Sequence, residues 1–476
     1  MTTLLENEAP PAPVPSRGRR AAGWVEPAVA LGAFGVLCAL VLTRAAALLE
    51  PDDYAYRASI VALTHGELLL TGAQYASLRA QLSHLAAPGI AQWHQLAGGR
   101  WIGEKNPGYP FFAVPFYWLG ALRAAPLFYG GLGCLGLYAG ARRWLGRWGG
   151  TWAVVLFCTS GAATAFAWRA TMPTFTDASL IAGGAGALLW AMLAAERPRG
   201  VRTLVGVVAS AGLAGAVWIR YTDVVVLVVA AAAIVVMARA ARLGVRMAAW
   251  WLGTMGVICG AILVFNALVY GSATSTGYAA GEISFSVSAI PSNLREMPAH
   301  LVRSMPMALL AAATVIWIVV RLVRRGRHEH DSAPRAAAER DAAVAGWLAA
   351  AWGGLWLLYL AYPWTVSQAT SLATSIHVIR FYVPVIGVIA LLGAWCLQQL
   401  PRWAAAAVVV ALATLGALSF EGLVGAGAMA PGGGPGGPGP GLPGGGSGGQ
   451  GGPGPGLPGG APGAGPPMRG APATSR

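Results

Sequence analysis

Long apolar runs, broken at intervals by clusters of arginine, constrain this chain more than any other feature. About 20 apolar residues are needed to carry a helix across the hydrocarbon core of a bilayer. Inside lipid every backbone polar group must be satisfied within its own segment, so such runs are read as helices. The candidate spans are 24–47, 124–141, 151–168, 177–195, 203–219, 222–238, 248–270, 303–321, 343–362, 379–397 and 403–423. Only 11% of the 476 residues are charged, against roughly 25% in soluble proteins, which excludes a soluble enzyme. The expected fold class is all-α, a polytopic membrane protein of about 11 transmembrane helices.

The arginine clusters set the topology. They fall at Arg142/Arg143/Arg147, Arg197/Arg199/Arg202, Arg239/Arg242/Arg246 and Arg321/Arg324/Arg325/Arg327. Basic residues collect on the cytoplasmic side of polytopic proteins. If all four clusters are cytoplasmic, each interval between them holds an even number of spans, and the candidates pair accordingly. The net charge of +14 is then an orientation signal and not a nucleic-acid surface. The stretch 108–141 must cross an odd number of times, so 108–122 is expected to be half-inserted and broken by its prolines. Two spans there would push Arg142, Arg143 and Arg147 to the outside. The exterior loops follow as 48–123, 169–176, around 220–222, 271–302, 363–378 and the tail, with the N-terminus cytoplasmic.

Three segments lie outside the spans. Residues 1–22 read as a disordered cytoplasmic arm; Arg17, Arg19 and Arg20 precede an apolar segment too long for a signal-peptide core, so a retained signal anchor is expected. Within the first exterior loop (48–110), Tyr75, Leu78, Leu82 and Leu85 recur at helical spacing, which fits amphipathic helices on the membrane surface. Residues 424–476 read as a disordered Gly/Pro-rich tail: 431–470 hold 21 Gly and 11 Pro, a composition that cannot bury a core. The transmembrane domain is therefore bounded at 23–423. Cys38, Cys134, Cys158, Cys259 and Cys396 lie in apolar runs without metal-ligand spacing and read as small buried hydrophobes.

Ionisable groups away from the cytoplasmic rim carry the functional signal, because placing them near lipid is costly. Asp52 and Asp53 follow the first span directly. An interfacial carboxylate can take a proton from an acceptor hydroxyl; equally, acids suit the first turn of a helix. The segment Gly103-Glu104-Lys105-Asn106-Pro107-Gly108-Tyr109-Pro110 contains the sole lysine among 32 basic residues. Its compact ammonium can hold a phosphate oxygen, or it can snorkel; arginine snorkels too, and the chain uses arginine everywhere else. Asp177 stands at the mouth of a span, where capping that helix is the plainer reading. Arg220, Arg380 and His377 lie near exterior ends, where basic residues run against the orientation rule and so can face an anion.

At these residues the sequence resembles the GT-C superfamily of integral-membrane glycosyltransferases, in particular the branch of protein O-mannosyltransferases and lipid A aminoarabinose transferases. The acidic pair Asp52-Asp53 followed by Tyr56, the Glu104-Lys105-Asn106-Pro107 segment, Asp177, and Arg380-Phe381-Tyr382-Val383-Pro384 stand in the family's order. Asn106 replaces a proline, and Asp53 stands where Glu is common. The resemblance implies transfer of a sugar, with inversion, from a polyprenyl-phosphate donor to a hydroxyl acceptor on the exterior face of the cell membrane. It implies catalytic roles for Asp52, as general base, and Asp53. It assigns the donor phosphate to Lys105, Arg220 and Arg380, and sugar or acceptor contacts to Tyr56, Glu104, Tyr109, Asp177 and His377. No cofactor or obligatory metal is expected, with a divalent cation left open. The implied partners are the lipid-linked donor, the bilayer, and a glycan, lipid or protein acceptor. A flippase for lipid-linked sugars is the rival from another class. Transporters of that kind often carry an internal repeat, which the two halves here do not show. A non-catalytic scaffold whose tail binds the cell wall is a third reading.

Overall fold

A computed structural model describes residues 17–45, 51–82, 92–96, 98–240, 242–278, 283–325, 332–363, 365 and 378–428. The arm through residue 16, Leu85, Glu282, His377 and the tail from 429 onward lie outside the described residues. Sixteen helices follow in order: α1 Arg17–Thr43, α2 Pro51–Thr64, α3 Gly72–Leu82, α4 Gly108–Trp118, α5 Ala124–Leu145, α6 Arg147–Thr159, α7 Gly161–Trp168, α8 Thr174–Leu193, α9 Arg199–Ile219, α10 Val224–Arg239, α11 Val245–Tyr270, α12 Ile290–Ser304, α13 Ala308–Arg325, α14 Ser332–Leu360, α15 Ile386–Gln398 and α16 Arg402–Ala428. Two of the expected boundaries move: α1 begins at Arg17, inside the expected arm, and the last helix runs to Ala428.

The protein is a multi-pass membrane protein. Among the described residues seven helices are long and apolar enough to cross a bilayer, or nine if two bent pairs each count as one span. The bends are 59° between α6 and α7 and 112° between α12 and α13. Two further sequence-expected spans correspond to α5, which is rich in glycine, and to α15, which has 13 residues. Large apolar side chains such as Val257, Leu268, Trp403 and Val410 are more than half exposed, as a surface solvated by lipid requires. The sharp bend at Met305–Met307 frees α12 from the direction of α13; α12 buries Met297 and Leu301 and exposes Arg295 and Glu296.

Arg142, Arg143 and Arg147 lie on one side with the start of α1 and the end of α8. Arg147 Nε lies 2.8 Å and Arg142 3.6 Å from Glu26, a buried acid near the start of α1. Arg143 pairs with Glu196, Trp144 donates to Asp341, and Gln398 donates to the carbonyl of Leu145. At its other end α5 meets the C-terminal end of α1, where Arg123 donates to the carbonyl of Val41; a cation there complements the helix dipole. So α5 crosses once between the two sides. The preceding helix α4 has 11 residues, with Pro115 inside it. At 1.5 Å per residue it spans only about 16 Å, which fits a half-inserted segment.

Two features position the site. Helices α5 and α8 approach backbone to backbone: a Cβ on Gly136 would overlap the carbonyl of Gly183, and one on Gly140 the carbonyl of Gly186. Small residues let membrane helices pack closely without a hydrophobic driving force. Helix α15 is buried along nearly its whole length and packs against α6, α8, α13 and α14. The 3₁₀ turn Val383–Val385 that starts it fixes Arg380 and Phe381 just outside the core.

The first loop adds one short hairpin to the all-α fold. Strands β1 (Trp93–Gln95) and β2 (Trp101–Gly103) form an antiparallel hairpin. Helix α3 lies on it: Tyr75 stacks on Trp101 with ring centroids 4.2 Å apart, and Leu78 is buried beside them. Tyr75 and Leu78 of α3 thus pack on the hairpin.

Candidate active site

The charged residues singled out in the sequence converge on the side opposite Arg142, Arg143 and Arg147. Asp52 and Asp53 occupy the first turn of α2, and their side chains diverge. Asp52 Oδ1 is 3.3 Å from Lys105 Nζ, and Asp52 Oδ2 is 2.9 Å from Arg380 Nη1. One carboxylate therefore sits between two cations. Lys105 also reaches Glu104 at 2.7 Å and lies 4.8 Å from the centre of the Tyr278 ring. All of these groups are largely shielded from water, with side-chain exposure of 9% for Lys105 and 14% for Asp52.

Electrostatics keep Lys105 charged. Burial pulls its pKa down, while Tyr278, Asp52 and Glu104 together outweigh that penalty, so the pKa lies above the ordinary lysine value. Burial likewise pushes the phenols of Tyr56 and Tyr278 up, so both are hydrogen-bond donors at neutral pH. Tyr56 contacts Tyr109 edge to face, with centroids 5.9 Å apart. Tyr109 is fully buried and donates to the carbonyl of Ala170, which ties α4 to the loop after α7.

A second cationic cluster adjoins the first. Arg220, between α9 and the 3₁₀ turn Tyr221–Asp223, places Nε 3.3 Å from Asp177 Oδ2 and donates to Thr174 and to the carbonyl of Arg380. The guanidinium groups of Arg220 and Arg380 both lie over Phe381, at 5.6 and 4.9 Å from its centre. Asp223 is buried within charge range of Arg220 and Asp177. Asp177 is not the cap of α8, which begins after Pro173 without a side-chain cap; it is a buried counter-ion to Arg220.

Local sequence explains how Lys105 reaches this place. Asn106 Nδ2 donates to the carbonyl of Ile219 at 3.1 Å, filling an orphan acceptor at the end of α9. A Cβ on Gly108 would overlap the backbone of Trp218. The Glu104–Tyr109 segment is thus seated on the end of α9, immediately before Arg220. Asn106, one of the two departures from the motif the sequence resembles, makes this joint.

Asp53 faces elsewhere. It forms a fully buried ion pair with Arg169 and accepts from Thr171 Oγ1 at 2.9 Å. These contacts fasten the first turn of α2 to the loop between α7 and α8. The geometry fits Asp53 as the anchor that aims Asp52, in place of the catalytic role the resemblance gave it. His377 lies outside the described residues. The sequence missed Gln92, Tyr278 and the role of Arg169. Gln92 and Tyr278 carry no charge, and each is placed by tertiary contacts that no local pattern encodes.

The arrangement can hold an anion between Lys105 and Arg380 and can present a carboxylate beside it. No protein-family model and no curated protein matches the chain. Among solved structures, the fold is similar to ArnT from Cupriavidus metallidurans bound to undecaprenyl phosphate, with 17% identity and a TM-score of 0.48 over 80% of this chain and 61% of that one. It is also similar to the apo oligosaccharyltransferase of Archaeoglobus fulgidus, with 11% identity and a TM-score of 0.46 over 84% of this chain and 56% of that one. The chain spans about three fifths of the length of these proteins.

Proposed function

We propose that the protein is a membrane glycosyltransferase that moves a sugar from a polyprenyl-phosphate donor to a hydroxyl acceptor, with inversion, on the exterior face of the cell membrane. The observation that carries this reading is Asp52 bridging Lys105 and Arg380. A carboxylate between two buried cations occupies the position that suits a phosphate, which offers the same anionic oxygens.

In the reaction, the donor phosphate takes over Lys105 and Arg380 and leaves Asp52 free to accept a proton. The acceptor oxygen attacks the anomeric carbon as its proton passes to Asp52. The bond between that carbon and the phosphate oxygen breaks, and the electron pair leaves with the lipid phosphate. The two cations stabilise the charge that develops there. In many enzymes this kind of electrostatic stabilisation contributes more to the rate than any other effect. A phosphate is a good leaving group, so no general acid is required. A single displacement inverts the anomeric centre. Arg220 pairs with the buried acid Asp177, lies within charge range of Asp223, and braces Arg380 by donating to the Arg380 carbonyl.

The test is transfer in liposomes from radiolabelled undecaprenyl-phosphate hexose, pentose and amino-sugar donors, with envelope extract as acceptor source. Product from at least one donor, lost in Asp52→Asn, is the expected result. Lipid scrambling without transfer from any donor would overturn the reading in favour of a flippase.

A further inference from the structure

Asp52 has another partner, which charge considerations alone would not find. Gln92 Nε2 lies 2.9 Å from Asp52 Oδ1, the same oxygen that faces Lys105. The hairpin puts it there. Trp93 pairs with Gly103 in the register of β1 and β2, and Glu104 N donates to the carbonyl of Gln92 at 2.8 Å. Buried Trp93 packs against Tyr75 of α3. Gln92 and the Glu104-Lys105 pair are therefore delivered to Asp52 as one rigid unit.

The amide can face Asp52 only one way. A carboxylate accepts hydrogen bonds, so the nitrogen must point to it and the oxygen must point away. That oxygen, Gln92 Oε1, is buried and has no hydrogen-bond partner among the described residues. Buried acceptors are nearly always satisfied. An orphan acceptor one amide width from the base calls for a donor brought by the substrate. The hydroxyl that attacks cannot be that donor, because its proton goes to Asp52. The hydroxyl next in reach of the reaction centre is the one on the donor sugar's carbon adjacent to the anomeric carbon.

We propose that Gln92 is a positioning and specificity residue: its amide nitrogen aims Asp52, and its amide oxygen accepts a hydrogen bond from the donor-sugar hydroxyl neighbouring the anomeric centre. This inference rests on the glycosyltransferase reading. It selects donors that carry a hydroxyl at that carbon over their deoxy analogues. Interactions of this kind discriminate strongly, because the analogue leaves a buried polar group unpaired.

The experiment compares the undecaprenyl-phosphate sugar that supports transfer with its 2-deoxy analogue, in the full-length wild type, Gln92→Ala and Gln92→Glu. For the wild type, kcat/KM should fall about 10–100-fold with the deoxy donor, the cost of leaving one buried acceptor unpaired. In Gln92→Ala the hydroxylated donor should lose a similar factor and the two donors should become nearly equal. Gln92→Glu keeps an acceptor oxygen but sets a second carboxylate against Asp52. A neighbouring like charge raises a carboxyl pKa, so the acid limb of its pH–rate profile should move to higher pH. Undiminished discrimination in Gln92→Ala, or an unmoved acid limb in Gln92→Glu, overturns the inference while the enzyme reading stands. A wild type that transfers from no donor overturns both.

Discussion

Asp52 and Arg380 meet at 2.9 Å, joining the first turn of α2 to the turn that opens the buried helix α15. The contact has opposite consequences for binding and for chemistry. In the proposed reaction Asp52 competes with the donor phosphate for Arg380 and Lys105, and the same carboxylate is the base. Asp52→Asn should therefore bind undecaprenyl phosphate about 10-fold more tightly, the equivalent of roughly 1.4 kcal/mol. Transfer in the same variant should fall by about 10²–10⁴, the usual worth of a positioned general base. Lipid binding by native mass spectrometry and single-turnover transfer read the two effects separately. Weaker binding in this variant would refute the counter-ion exchange.

The phosphate anchor can be tested through pH. The pKa of Lys105 is raised above that of an unfolded lysine, so its charge and its share of stability are fully present below the unfolded value. Both are lost only as pH rises through the folded one. Undecaprenyl-phosphate binding should stay level from neutral pH to about pH 10, below the ordinary lysine value. Removing the two acids that hold the ammonium in its charged form, in Asp52→Asn/Glu104→Gln, leaves burial opposed chiefly by Tyr278. The alkaline loss of binding should then begin at lower pH than in the wild type. Lys105→Ala should weaken binding about 10–100-fold at neutral pH, since hydrogen bonds to charged groups contribute about 1.5–3 kcal/mol.

The buried pair Asp53–Arg169 is expected to act on stability before chemistry. Removing one member of a fully buried ion pair leaves an uncompensated charge and costs about 3–5 kcal/mol. Arg169→Ala should lower the thermal midpoint in detergent sharply. The double variant Asp53→Leu/Arg169→Met should recover part of the loss, because it removes both charges and keeps apolar volume. Additive losses would show that the two residues act independently.

Most of the charged part of the site was legible in the sequence, whereas Gln92, Tyr278 and the role of Arg169 were not. Acids and cations near lipid are costly, so in a chain this apolar each one away from the arginine clusters draws notice. Asp52, Lys105, Arg220, Asp177 and Arg380 stood out in that way, and the structure brings all five together. The resemblance gave the base role to Asp52, but the residues alone do not separate it from Asp53: neighbouring residues on a helix point in different directions, and the pairing of Asp53 with Arg169 shows which way each one faces. The hairpin was invisible because strands of three residues are too short to show alternation. Glu26 passed unremarked at the start of an apolar run, although it gathers Arg142 and Arg147 beneath the bundle.

Closely packed glycines form the frame that holds these groups. The close approach of α5 and α8 runs through Gly136 and Gly140 against Gly183 and Gly186, and α8 carries Asp177 at the end nearer the site. A methyl group at Gly136 meets backbone, which cannot rotate away, so the helices must part. Overpacking of this kind costs about 1–3 kcal/mol. Gly136→Ala should lower the thermal midpoint and reduce transfer together, since moving α8 also moves the Asp177–Arg220 contact that braces Arg380. Gly131→Ala is the control: a Cβ there meets only the ring of Phe34, at 3.4 Å. It should leave both measurements near wild type. Equal effects from the two substitutions would show that the α5–α8 contact does not account for the loss, since alanine itself favours a helix over glycine.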